Sequence, residues 1–181
     1  MKPSWQKLHS SVAYRHPYWQ VRKDRVVKPD GSRGYYYYVE LLDFVSVIPL
    51  TADRKSTYLV RQWRYPLERN SWEFPMGIME SGERPLEAAK RELEEEAGLK
   101  ARQWRRLGKK VAVANGLTNQ WFYVFLAQRL GAGTQQLESG ERDMIVKKFS
   151  LRQVESMIKR GIITDAPTLV SFYWLKTFFK V

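Results

Sequence analysis

The chain has 181 residues, 44% hydrophobic and 14% aromatic, with no cysteine, two histidines and a formal net charge of +12. That length suits one ordinary domain with a small appendage, and the apolar content allows a core without covalent staples. Disulfides and thiolate metal sites are excluded, His9 and His16 near the N-terminus make a poor zinc site, and the basic balance favours anionic partners such as phosphates, nucleotides or nucleic acid.

Residues 19–27 and 35–42 read as β-rich runs, and the Asp30-Gly31 step and Gly34 between them predict a hairpin. Tyr35 to Tyr38 furnish both faces of the second run. Residues 44–50 and 57–63 form another pair around a polar turn. From Arg84 to Ala97 the pattern turns helical, with Pro85 in the first turn, Gly98 at the C-terminal cap and Leu86, Ala89, Leu93 and Ala97 as the apolar stripe. Strands resume at 105–114, 120–128 and 144–149. Ser150 and Gln153 form a capping box for a second helix that Gly161 stops. Thr164 or Asp165 caps a final helix, which has Pro167 near its start and Leu169, Phe172, Leu175 and Phe179 on its apolar side. The mix reads as α+β or α/β, a mixed sheet between helices. Residues 1–43 form a small N-terminal sheet region, and 44–181 the main domain. Met1 to Lys7 carries no apolar run, and no stretch approaches the roughly 18 to 20 apolar residues that span a bilayer. A cytoplasmic protein is expected.

The acids concentrate between Glu80 and Glu96, where residues 77–99 read GIMESGERPLEAAKRELEEEAGL. On a helix Glu92 and Glu96 share a face, Glu95 lies roughly 60° from Glu92, and Arg91 is placed to pair with Glu95. With one carboxylate neutralised by Arg91, Glu92 and Glu96 are expected to face outward without compensation. A divalent cation would supply it. In the absence of cysteine that cation is a hard one, held by oxygen. Glu83 can fold back toward the cluster, and Gly77 lets the backbone approach. The plain alternative is a solvated acidic helix, but the full spacing arises by chance at about 10⁻⁷ for a chain of this size.

This segment resembles the Nudix box, with every defining position filled. The resemblance implies an α/β/α sandwich of the α+β class and a magnesium or manganese cofactor held by Glu92 and Glu96. It further implies that Glu95 joins the metal cluster, Arg91 orients the glutamates, Glu83 turns toward the cluster and the main-chain oxygen of Met76 is a further ligand. Beyond the box, LVRQWRYP at 59–66, WEFPMG at 72–77 and ITDAPTL at 163–169 resemble the ADP-ribose pyrophosphatase branch. That likeness makes Arg64 and Arg61 candidates for substrate phosphate and sets Glu73 near metal and diphosphate, while Trp72 reads as core. It also places the catalytic base on a mobile acidic loop, here residues 137–143 with Glu138, Glu141, Asp143 and Gly140. Glu141 is favoured.

The chain departs from the branch in lacking a proline in Val113-Ala114-Asn115-Gly116 and in carrying Asn119-Gln120 where an acid is usual. Both departures weaken a strict ADP-ribose assignment and leave room for broader use of nucleoside-diphosphate sugars. In the branch the N-terminal sheet crosses between subunits, which implies a homodimer with Trp19 or Tyr35 to Tyr38 offered to a base. The expected activity is metal-dependent hydrolysis of a nucleoside-diphosphate sugar, ADP-ribose included, to a nucleoside monophosphate and a sugar phosphate. One alternative is pyrophosphate removal from RNA 5′ ends, which the charge encourages and the Arg61 to Pro66 segment disfavours. Another is a non-catalytic binding module, against which the intact glutamates argue.

Overall fold

The computed structural model describes residues 4–179. They form two compact units. One combines the described residues up to Asp43 with Ala112–Trp121, and the other Phe44–Val111 with the described residues from Phe122 onward.

The first unit is an antiparallel three-stranded sheet of β1 (Gln6–His16), β2 (Trp19–Val27) and β3 (Arg33–Leu41), in that order. The Asp30-Gly31 turn is present, with Gly31 at φ 83° and the Ser32 amide donating to Asp30 Oδ1 at 2.9 Å. β1 is not expected from the sequence, because it is exposed along most of its length and shows no apolar alternation. Its register against β2 shifts twice, at Lys7/His9 and Val12/Tyr14. The tyrosines alternate as expected: Tyr35 and Tyr37 are exposed, Tyr36 and Tyr38 half-buried. The segment Ala112–Trp121 docks on β3, where the Val39 amide donates to Leu117 O at 2.8 Å and Tyr36 Oη to Gly116 O at 2.8 Å.

The second unit holds two sheets. β4 (Phe44–Pro49) runs parallel to β9 (Trp121–Ala132) and antiparallel to β7 (Met76–Ile78), and β8 (Leu99–Ala112) closes the far edge in the order β7-β4-β9-β8. β5 (Ser56–Arg64) lies between β10 (Ile145–Ser150) and β6 (Arg69–Glu73). The mixed sheet is covered on both faces. Val45 and Val47 of β4 pack with Ala88, Ala89, Leu93 and Ala97 of helix α1 (Pro85–Ala97). Phe44 and Ile48, on the alternate face, share a cluster with Val154 of α2 (Leu151–Lys159) and with Phe172 and Leu175 of α3 (Ala166–Phe179). All of β4 is therefore buried.

The helix ends follow their sequence signals. Gly98 adopts φ 61° and donates to Glu94 O at 2.9 Å, and the Ser150–Gln153 box closes reciprocally. Asp165 caps α3, its Oδ2 accepting from the Thr168 amide at 2.8 Å. One expectation is corrected. Leu86 is exposed, and the buried face of α1 is Ala88, Ala89, Glu92, Leu93, Glu96 and Ala97. The stripe sits one residue around from a purely apolar reading because it contains two glutamates.

β8 carries Lys100, Arg102, Arg105, Arg106, Lys109 and Lys110 without an acid, and most of these side chains are exposed. Among the described residues no helix is long and apolar enough to cross a membrane. Gly108 of β8 has φ 59°, and a Cβ there would lie 2.7 Å from the Trp174 ring of α3. Gly108→Ala is expected to cost about 2 kcal/mol from left-handed strain and overlap, read as a lowered thermal midpoint. An unchanged midpoint would mean that this packing is not maintained in solution.

Candidate active site

The site is built first from α1, β4 and β7. Small side chains at Ala88, Ala89 and Ala97 let α1 lie close on Val45 and Val47, and the same helix face then carries Glu92 and Glu96 inward. They are 7% and 2% exposed, so the expectation that they face outward is corrected. Gly77 of β7 lies directly beneath Glu92, where any Cβ would overlap the carboxyl group. One residue earlier, the Met76 amide donates to Glu96 Oε2 at 2.8 Å.

Arg91 ties the acidic cluster together. Its Nε and Nη2 donate to the two Glu83 oxygens at 3.1 and 3.0 Å, and Nη1 donates to Glu92 Oε1 at 2.6 Å and to Glu95 Oε2 at 3.0 Å. Nη2 also reaches Ile78 O at 3.0 Å. Helical spacing anticipates the pairing with Glu95, and the family resemblance an orienting role toward the glutamates. The guanidinium fork in fact spans the loop, the strand and the helix, as a planar five-donor group can. Glu83 does fold back, and its Oε2 accepts the Glu80 amide at 2.9 Å as well. Glu92 is thus partly compensated, while Glu96 has the Met76 amide.

A second arginine enters from β5. Arg64 pairs in bidentate fashion with Glu73, with Nε–Oε1 at 2.9 Å and Nη2 on Oε2, and Glu73 is 1% exposed. Arg61 is three residues away on the same regular strand and so faces the other side. There its guanidinium lies 5.8 Å from the Trp72 ring, with Nε buried and unpaired. The structure does not bring Arg61 to the Glu73 side. Trp72 packs edge-on to Phe149 within the core, as expected.

The acidic loop contains a short helical turn that the sequence does not announce. Ser139–Glu141 forms a turn of 3₁₀ helix, with the Glu138 amide donating to Glu141 Oε2 at 3.3 Å. Just upstream, Gln135 Nε2 donates to Glu96 O at 2.6 Å and the Gln136 amide to Glu95 O at 2.9 Å, which fixes the approach to the C-terminal turn of α1. Sequence reasoning names Asp165 only as a cap and does not single out Thr168. Asp165 also feels Glu73 and Arg64, and the buried Thr168 hydroxyl accepts the Phe74 amide at 3.0 Å. No local pattern announces a contact across that span of sequence.

Burial pushes the Glu92 carboxyl up to about 7 against the pull of Arg91, and Glu95 and Glu141 add repulsion. Burial likewise raises Glu96 well above the usual carboxylate range, reinforced by the charge of Glu92 and, more weakly, Glu141. Glu141 is therefore close enough for both to feel its charge. Burial raises Asp165, whereas the hydrogen bond from Arg91 lowers Glu83. Among the described residues no three acids converge on a common cation position in this arrangement.

A folded carboxyl raised above its unfolded value holds its proton where the unfolded chain has lost it. Its contribution is full below pH 4.5 and is lost as pH rises through about 7. The metal-free protein is expected to have a lower thermal midpoint at pH 8 than at pH 5, with roughly 3 kcal/mol attached to Glu92. A midpoint that rises over this interval, by calorimetry in the presence of a chelator, would contradict the burial of these groups.

Comparison with known proteins agrees with this architecture. A model of the NUDIX domain matches residues 41–170, and one of the nucleoside diphosphate sugar hydrolase N-terminal domain matches residues 5–39. An ADP-ribose pyrophosphatase of Bacillus subtilis (strain 168) is 30% identical over 149 residues, covering 82% of this chain and 80% of that protein. One of Mycobacterium tuberculosis is 27% identical over 164 residues, covering 90% and 78%. A crystal structure of an ADP compounds hydrolase superposes with a TM-score of 0.83 at 21% identity, over 97% of this chain and 94% of that one, a likeness of fold. Family members are generally dependent on a divalent metal. With the domain match spanning most of its length, the chain belongs to the Nudix hydrolase family.

Proposed function

We propose that the chain hydrolyses the diphosphate of nucleoside-diphosphate sugars, ADP-ribose among them, giving a nucleoside monophosphate and a sugar phosphate. The observation that carries this reading is the pair of buried carboxylates, Glu92 and Glu96, seated on the backbone of Gly77 and Met76. The relatives named ADP-ribose pyrophosphatase and the matched N-terminal domain support the substrate class.

The donor set fits a hard divalent cation. It is all oxygen, and the ionisation of its two central groups is opposed by burial, a penalty that a nearby cation offsets. Glu92 and Glu96 would hold magnesium or manganese with the main-chain oxygen of Met76, while Glu95 and Glu83, which Arg91 engages and which do not converge with them here, would contribute only after their carboxylates turn toward the cation. When bound, the cation supplies charge neutralisation for the diphosphate and a lowered pKa for water.

The chain's own groups do the rest. Arg91 fixes the glutamates in place through its three acidic partners. Arg64, aligned by the buried Glu73, offers its remaining donor capacity to a substrate phosphate. Glu141, whose charge acts on both Glu92 and Glu96, accepts the proton of the attacking water at its carboxylate. Arg61 faces away and has no part in this reading. The exposed Tyr14, Tyr18, Tyr35 and Tyr37 of the first unit support a homodimer through that unit.

Glu96→Gln is expected to abolish turnover. Its metal-free thermal midpoint at pH 8 should be unchanged or higher, because the amide oxygen still accepts from Met76 without a buried charge. Glu141→Gln is expected to lower kcat by about 10²- to 10³-fold with little change in KM. A panel of nucleotide sugars, dinucleoside polyphosphates and triphosphorylated RNA with magnesium, read by chromatography, tests the substrate class. Products from RNA ends alone would overturn it.

A further inference from the structure

The short crossover Phe74-Pro75 carries the chain from β6 in one sheet to β7 in the other. Glu73 precedes it and Met76 follows it, so its placement sets the distance between the Arg64–Glu73 pair and the Met76–Glu96 pair. Phe74 lies in this connector and is fully buried, so its polar backbone groups need partners.

The crossover and the first residue of β7 are held by three different elements. The Phe74 amide donates to the hydroxyl of Thr168 on α3 at 3.0 Å. Pro75 has no amide, and its carbonyl accepts from Val47 of β4 at 2.8 Å. The Met76 amide donates to Glu96 of α1 at 2.8 Å. The Val47 and Glu96 contacts belong to the sheet and helix that already frame the site. The Thr168 contact comes from the opposite layer.

Thr168 is itself held firmly. It is fully buried, its own amide donates to the Asp165 cap at 2.8 Å, and one turn further on Ser171 Oγ meets Ser46 Oγ of β4 at 3.0 Å, also fully buried. The first turns of α3 are thereby anchored to β4 by a polar contact as well as by Phe172 and Leu175. This lets α3 serve as a fixed reference from which a hydroxyl reaches across to the crossover.

We infer that Thr168 is a positioning residue for the hydrolytic site, its hydroxyl setting the Phe74 amide so that Glu73, paired with Arg64, and Met76, bonded to Glu96, are held in place at the two ends of the crossover. Its hydroxyl is bonded to the main chain of Phe74, so it acts through the backbone. The inference rests on the function proposed above for this site.

The test compares Thr168→Val, which keeps the shape and removes the acceptor, with Thr168→Ser, which restores the hydroxyl. Each is assayed for ADP-ribose hydrolysis and for Mn²⁺ binding by electron paramagnetic resonance without substrate. Thr168→Val is expected to lose 10- to 100-fold in kcat and to weaken Mn²⁺ binding by a similar factor, with native circular dichroism. Thr168→Ser should return both to within about threefold of the parent. Should Thr168→Val not fold, Thr168→Ala is judged by the same two readouts. A folded valine or alanine variant with a lowered thermal midpoint but parental kcat and Mn²⁺ affinity would overturn the inference and leave Thr168 as ordinary core. A parent that binds Mn²⁺ yet leaves every nucleotide sugar intact would instead sink the substrate reading, and the Mn²⁺ comparison would still decide the role of Thr168.

Discussion

Two carboxylates held out of water on the packed face of a helix organise the second unit. Burying Glu92 and Glu96 opposes their ionisation, and the surrounding geometry limits that cost. Alanines instead of larger side chains bring α1 close to β4, a glycine leaves space for one carboxyl group, and a main-chain amide is aimed at the other. Arg91 bridges loop, strand and helix because the charge beside it has to be balanced locally. The fold and the chemistry are therefore difficult to separate: the contacts that seat the helix also place the acids.

The layers outside that centre act on it through the backbone. β4 is covered on both faces, so the strand pairing with Gly77 is fixed from both sides. The bidentate Arg64–Glu73 pair lies in the other sheet, and the crossover after Glu73 joins the two halves of the site. Gln135 and Gln136 use the last carbonyls of α1 to hold the following chain near the acids, so the Glu138–Glu141 turn is reached over a short, tethered path.

Much of this was legible in the sequence where the signal is local. The cap at Gly98, the Ser150–Gln153 box, the Asp30-Gly31 turn and the spacing of Glu92, Glu95 and Glu96 each announce themselves within a few residues, and the structure has each element near its expected place. Signals fail where they depend on distant partners. β1 lacks an apolar alternation, and β7 is three residues long, so pairing alone defines both. Leu86 reads as part of the stripe because leucine usually marks a core face, and nothing nearby says that glutamates take those positions. The separation of Arg61 from Arg64 follows from strand alternation. Thr168 meets Phe74 only because α3 folds back over the sheet.

The mixed sheet leaves two edges, and they are protected in different ways. β7 offers too little length to recruit another strand, whereas β8 is long, and its lysines and arginines repel a neighbouring copy of itself. That second protection is electrostatic, so its range contracts as the ionic atmosphere thickens, from about 10 Å at 0.1 M salt to about 3 Å at 1 M. Colloidal behaviour thus rests on the same cationic excess that draws phosphorylated ligands, and concentrated salt weakens both together.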